Sequence, residues 1–193
     1  MKLIAITGGI GSGKSVVASI VKVMGYQVYD CDSRAKALMT DDDALRKQLI
    51  AAFGQETYLS DGHLNREHLS KIAFTDKSAL TRLNAIVHPA TANDIKRWAD
   101  GLASNGASVA FIETALLRTS GLNNLVNGVW HVTAPTEVRV ERVMTRSGLT
   151  AQQVRERIAA QQSEDRVDDG EQVITNDGIA AVLPQVIQLF KEL

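Results

Sequence analysis

Short apolar runs alternate with longer amphipathic stretches along this chain. Residues 2–7, Lys-Leu-Ile-Ala-Ile-Thr, are mostly apolar and brief, which predicts a buried strand. Four more runs of this kind fall at 26–30, 108–113, 128–133 and 171–175. Residues 15–24 place Val16, Val17, Ile20, Val21 and Val23 at helical apolar positions, and Gly25 supplies a stop. Helical stretches are also predicted at 43–53, 66–74, 77–87 and 89–104, with an arginine-rich one between 135 and 162. Strands separated by helices predict an α/β fold, a five-stranded, mainly parallel sheet flanked by helices.

One spacing departs from the rhythm. A βα crossover needs only about a dozen residues, yet positions 31–107 separate the second and third predicted strands. The expectation is a core of residues 1–31 and 105–193, with a helical insert at 32–104. Such an insert is either a second-substrate domain or a structural cap.

The first turn after the first strand carries the strongest chemistry. Gly8-Gly9-Ile10-Gly11-Ser12-Gly13-Lys14-Ser15 fits G-x-x-x-x-G-K-[ST], between a predicted strand and a predicted helix. Glycines let the backbone turn its N–H groups toward a phosphate and approach it closely. The following helix adds the positive end of its dipole. Lys14 suits β- and γ-phosphates, and the Ser15 hydroxyl suits Mg²⁺. ATP and Mg²⁺ are the expected ligands.

Composition narrows the reading. The chain has 193 residues, 45% of them hydrophobic, and a formal net charge of −1. That balance gives no global case for nucleic acid or an anionic membrane as partner. Cys31 is the single cysteine, which excludes an intramolecular disulfide and a cysteine-based zinc site. The phosphate motif occupies the place where a signal segment would lie, and no apolar run approaches a membrane span. A cytoplasmic protein, monomeric or a small homo-oligomer, is expected.

Several side chains are candidates for the remaining chemistry. Asp30 and Asp32 fall at the end of the second predicted strand, on the edge where open α/β sheets bind ligands. A carboxylate there suits a general base, and Asp32 equally suits a cap for the next helix. Glu113 ends an apolar strand, as an acid supporting Mg²⁺ would, or as an ordinary strand end. Arg139, Arg142 and Arg146 recur on one helix face. They read as a phosphate-clamping lid over about 136–162, or as a solvated face paired with Glu137 and Glu141. His63, His68, His88 and His131 show no metal-ligand spacing, and no Asn-Lys-x-Asp guanine-reading motif is present.

Taken together, the motifs resemble the dephospho-coenzyme A kinase family nearly end to end. The opening Thr7-Gly8-Gly9-Ile10-Gly11-Ser12-Gly13-Lys14-Ser15 is close to that family's T-G-G-I-G-S-G-K-S. Asp30-Cys31-Asp32 resembles its D-A-D element, and Leu83-Asn84 with His88-Pro89 its L-N-x-x-x-H-P junction. Arg142 and Arg146 fall in its R-x-x-x-R lid, Arg157 and Gln161 in its R-I-x-x-Q element, and Asn176 in its I-x-N-x-G turn. The resemblance implies a P-loop kinase with a helical acceptor domain and a lid. It would transfer the ATP γ-phosphate to the ribose 3′-hydroxyl of dephospho-coenzyme A, its small-molecule substrate. Another nucleotide or small-metabolite kinase, or a nucleotide switch, is the alternative.

Carried over by position, Asp32 is the base, with Lys14, Arg142 and Arg146 as catalytic charges. Gly9, Ile10, Gly11, Ser12, Gly13, Lys14, Ser15, Val16 and Asn176 hold the nucleotide, and Ser15 the metal. Thr7, Asp32 and His88 face the acceptor. The sequence departs from the family at Thr119, where many members carry an acid, and at Val16, Cys31 and Ser147.

Overall fold

Five strands form one all-parallel sheet in the computed structural model. It describes the backbone of residues 1–193 and all side chains but those of Ala73, Phe74, Thr75 and Lys77. The strands are β1 (Lys2–Thr7), β2 (Val28–Asp30), β3 (Val109–Glu113), β4 (Gly128–Thr133) and β5 (Gln172–Thr175), in the order β2-β3-β1-β4-β5. The helices are α1 (Lys14–Val23), α2 (Cys31–Asp41), α3 (Asp43–Phe53), α4 (Arg66–Thr75), α5 (Lys77–Ser104), α6 (Thr136–Ser147), α7 (Ala151–Ala160), α8 (Gln162–Asp165) and α9 (Val182–Phe190).

The chain divides into two compact units. The first comprises Met1–Asp30 and Ala99–Leu193 and contains the whole sheet. Its core cluster lies on one sheet face, under α1 and α9, with Ile4, Ile6, Val17, Val21, Phe111, Trp130, Ile174 and Val186 buried together. Trp130 packs 4.9 Å from Phe111 and 5.1 Å from Phe190, ring centre to ring centre, so this tryptophan is a core residue. The predicted second strand loses its first residues. The Tyr26 N–H closes the turn after α1 on Val21 O, and its ring stacks on Phe190.

The second unit, Cys31–Trp98, is helical and has its own core of Leu38, Leu45, Leu49, Tyr58 and Val87. Its limits differ from the expected 32–104, because α5 continues unbroken from the helical unit into the first one. Two helices expected at 77–87 and 89–104 are therefore one, with Pro89 inside it. An interior proline costs about 3 kcal/mol through its missing N–H and its clash with the preceding turn. Burial on the same helix offsets this: Val87 and Ile95 are buried, each contributing about 1.5–3 kcal/mol. His88 thus lies within a helix, where the residue before proline is expected to be extended. Residues 31–41, not among the predicted helical stretches, form α2, and Cys31 is buried at its start.

Candidate functional site

The C-terminal ends of β1 and β3 bring together the groups that read as phosphate chemistry. Ile6 pairs in register with Glu113, so the loop leaving β1 begins beside the acid that ends β3. That loop, Gly8 to Gly13, feeds directly into α1. Gly13 caps the helix with φ of 100°, and a Cβ there would meet Asn176 Nδ2 at 1.9 Å. Only glycine satisfies both the left-handed backbone and the close approach. The first-turn amides of α1 are the donors a phosphate takes at a helix N-terminus.

Lys14 Nζ donates to Gly9 O at 3.3 Å, holding the ammonium over the loop. The Ser15 hydroxyl donates to Glu113 Oε1 at 2.9 Å. Glu113 thus meets the start of α1 from the end of β3. Val16 is about half exposed on α1. Thr7 is fully buried and its hydroxyl donates to Thr114 O, so it ties the β1 end to the β3 exit.

Asn176 follows β5 and is buried against the same loop. Its Nδ2 donates to Ser12 O at 2.9 Å, while its carbonyl and Oδ1 accept from Arg142 at 2.9 and 3.2 Å. Arg142 is therefore bonded to the loop's flank, unlike a free lid charge. Arg146, one turn later on α6, is exposed. The next residue after Asn176, Asp177, accepts from the amides of Ile179 and Ala180. Those bonds and the Arg142 charge hold its carboxyl below the usual range.

Arg139 departs most from expectation. It is buried, and its Nε donates to Ile10 O at 2.8 Å. Its Nη1 pairs with Asp165 Oδ2 at 2.8 Å, and the Ile10 N–H donates to Gln161 Oε1 at 2.8 Å. Arg139, Arg142 and Arg146 thus share a helix but not an environment. The solvated pair on α6 is Glu137, bound by Arg155 of α7 through two bonds of 2.9 and 2.7 Å. Arg155 keeps the Glu137 carboxyl low.

Asp30 ends β2 and is paired in register with Glu113. Asp32 belongs to the helical unit, exposed in the first turn of α2. The two aspartates therefore sit on different elements, and the strand-end position expected for Asp32 is corrected. So is its role as a cap, because α2 already starts at Cys31. His88 is half-buried in the helical unit, and burial pushes its imidazole below the ordinary value.

One network lies outside the expectations. Glu164, buried, accepts from the N–H groups of Arg118 and Thr119 at 3.0 and 2.7 Å and from the Thr119 hydroxyl. Arg118 reaches Asp168 and Glu171, and Glu171 meets buried His131 at 3.0 Å. Nothing in the sequence marks Glu164 as interior, since it falls in a stretch rich in charge. Among the described residues no cluster of three acid, histidine or cysteine ligands is present, and no helix is long and apolar enough to cross a membrane.

The chain is similar to known proteins over nearly its whole length. A family model described as dephospho-CoA kinase matches residues 2–181. A dephospho-CoA kinase of Geobacter sulfurreducens is 37% identical over 189 residues, covering 97% of this chain and 96% of the relative. One of Porphyromonas gingivalis is 36% identical, covering 99% and 94%. A solved structure from Thermus thermophilus, 31% identical, superposes with a TM-score of 0.76 over 99% of this chain and 95% of its own.

Proposed function

The chain belongs to the dephospho-CoA kinase family, and on that premise we propose how its residues divide the phosphorylation of dephospho-CoA. The activity is an ATP-dependent phosphoryl transfer that makes coenzyme A. The observation carrying our assignment is the convergence of Lys14, Ser15 and Glu113 beyond the ends of β1 and β3.

In this reading the γ-phosphorus leaves the β-phosphate oxygen and bonds the acceptor's ribose 3′-oxygen. ADP departs, and the acceptor hydroxyl proton passes to the Asp32 carboxylate. Lys14 neutralises charge on the β- and γ-phosphates, and the Gly9–Val16 stretch binds them through its backbone. The Ser15 hydroxyl and the Glu113 carboxylate are hard oxygen donors that fit Mg²⁺ together with nucleotide oxygens. When bound, that ion supplies charge neutralisation between the phosphates. Asn176, held by Arg142, borders the adenine, and Arg146 supplies the lid's charge at about 136–162. Thr7 acts through Thr114, by fixing the strand ends.

The helical insert, with His88, recognises the acceptor, and Asp32 follows β2 by only two residues. The balanced net charge supports small molecules over nucleic acid as ligands. We further read the protein as cytoplasmic, and as a monomer or small homo-oligomer. The test is ADP release from ATP plus dephospho-CoA, with the product weighed by mass spectrometry. A coenzyme A product supports the reading. ADP release with an unaltered acceptor, or with a different acceptor only, overturns it.

A further inference from the structure

We infer that Arg139, Gln161 and Asp165 form a brace that positions the Gly9–Ile10 segment of the phosphate loop for nucleotide. The inference rests on the functional reading above and adds to it three residues that act through the backbone. Side chains hold Ile10 at both ends of its polar backbone. Its N–H donates to Gln161 Oε1 and its carbonyl accepts from Arg139 Nε, each at 2.8 Å. Asp165 holds the guanidinium from the other side at 2.8 Å.

Three features argue for a built device. Arg139 is only 6% exposed, and a buried guanidinium is costly unless its partners are fixed. Its Nη2 is buried without a hydrogen-bond partner among the described residues, so the site retains a donor beside the loop. Gly9 completes the fit: a Cβ there would stand 2.1 Å from Asp165 Oδ1 and 2.2 Å from Arg139 Nη2. The loop and the ion pair are in contact with no room for a side chain between them.

The consequence for binding follows from preorganisation. A glycine-rich loop has many backbone states, and ordering it on phosphate costs affinity. Pinning Ile10 at both ends removes part of that cost before ATP arrives. It also fixes the Gly9 carbonyl, on which Lys14 rests. Because Arg139 lies on α6 and the other two residues follow α7, the α6–α8 segment is bonded directly to the loop it overlies. A lid motion of these helices would therefore change the loop's conformation.

The test compares Gln161→Ala and Arg139→Lys with the unaltered chain, using ADP isotherms and steady-state kinetics. Gln161→Ala deletes one acceptor from a half-buried side chain. Lysine keeps the charge but cannot reach Ile10 and Asp165 with a fork of donors. Each variant is expected to weaken ADP and raise KM for ATP by about tenfold. KM for dephospho-CoA should stay within about twofold, the asymmetry a general packing defect would not give. If Gln161→Ala remains folded and binds ADP as the unaltered chain does, the brace is refuted. Equal weakening of both substrates also refutes it. The ADP isotherms read the brace whatever the acceptor proves to be, so its failure is separable from that of the functional reading.

Discussion

The Ser15 hydroxyl donates to the Glu113 carboxylate at 2.9 Å, joining the start of α1 to the end of β3. The two residues are far apart in sequence, and the parallel pairing of β1 with β3 brings them together. On our proposal that Ser15 ligates Mg²⁺, its hydroxyl must be oriented, and a carboxylate accepting its hydrogen bond does that. Glu113→Gln keeps the shape and loses the charge. The expected result is a 10- to about 100-fold drop in kcat or in apparent Mg²⁺ affinity. A Mg²⁺ titration of turnover checks it, with ADP binding measured without metal expected to be unchanged.

Asp32 carries the second prediction. Asp32→Asn is expected to lower kcat about 100- to 10,000-fold while leaving ATP binding intact, because the amide cannot take the proton. Asp30→Asn is the control. Asp30 ends a strand and Asp32 lies in the first turn of a helix, so the two side chains do not share one strand face. Turnover that survives Asp32→Asn but not Asp30→Asn would reassign the base. Turnover that survives both would leave positioning and electrostatics to carry the transfer, as a loose transition state permits.

The sheet was legible because each strand is a short apolar run and the phosphate motif fixes the first βα unit. Lys2–Thr7 and Gly128–Thr133 match their predicted limits, and α3 does as well. The misses share a physical cause: local signals were overruled by packing. Pro89 reads as a helix boundary, yet burial of Val87 and Ile95 keeps α5 whole. The site divides in the same way. Gly13, Lys14 and Ser15 are legible because their chemistry is local to one turn. Arg139 is not, because three arginines at helical spacing look alike until Ile10 and Asp165 single one out.

His88 gives a pH prediction. Burial lowers its imidazole from the ordinary value of about 6.5. In the native state it therefore binds a proton less readily than in the unfolded chain. The full contribution to stability is present above about pH 6.5 and is lost as pH falls toward the lower folded value. His88→Gln should flatten that slope in denaturant midpoints measured between about pH 7.5 and pH 5.5. The same variant should raise KM for dephospho-CoA more than KM for ATP. Equal changes would assign His88 to folding alone.

Thr119 stands where many relatives by resemblance carry an acid, and its neighbour explains what an acid would meet here. Glu164 is 1% exposed and accepts the Thr119 hydroxyl and two backbone N–H groups. A buried carboxylate needs those donors. Thr119→Val removes one of them at nearly constant volume, and the expected cost is about 1.5–3 kcal/mol in chemical denaturation. Thr119→Ser keeps the hydroxyl and should cost less than about 1 kcal/mol. Thr119→Glu replaces the donor with a second carboxylate. Like charges side by side repel, so the penalty is largest when both are ionised and shrinks as pH falls. Thr119→Glu should therefore lose more stability relative to the unaltered chain at about pH 7.5 than at about pH 5. A penalty independent of pH would mean that the new side chain turns to solvent and Glu164 keeps its remaining donors.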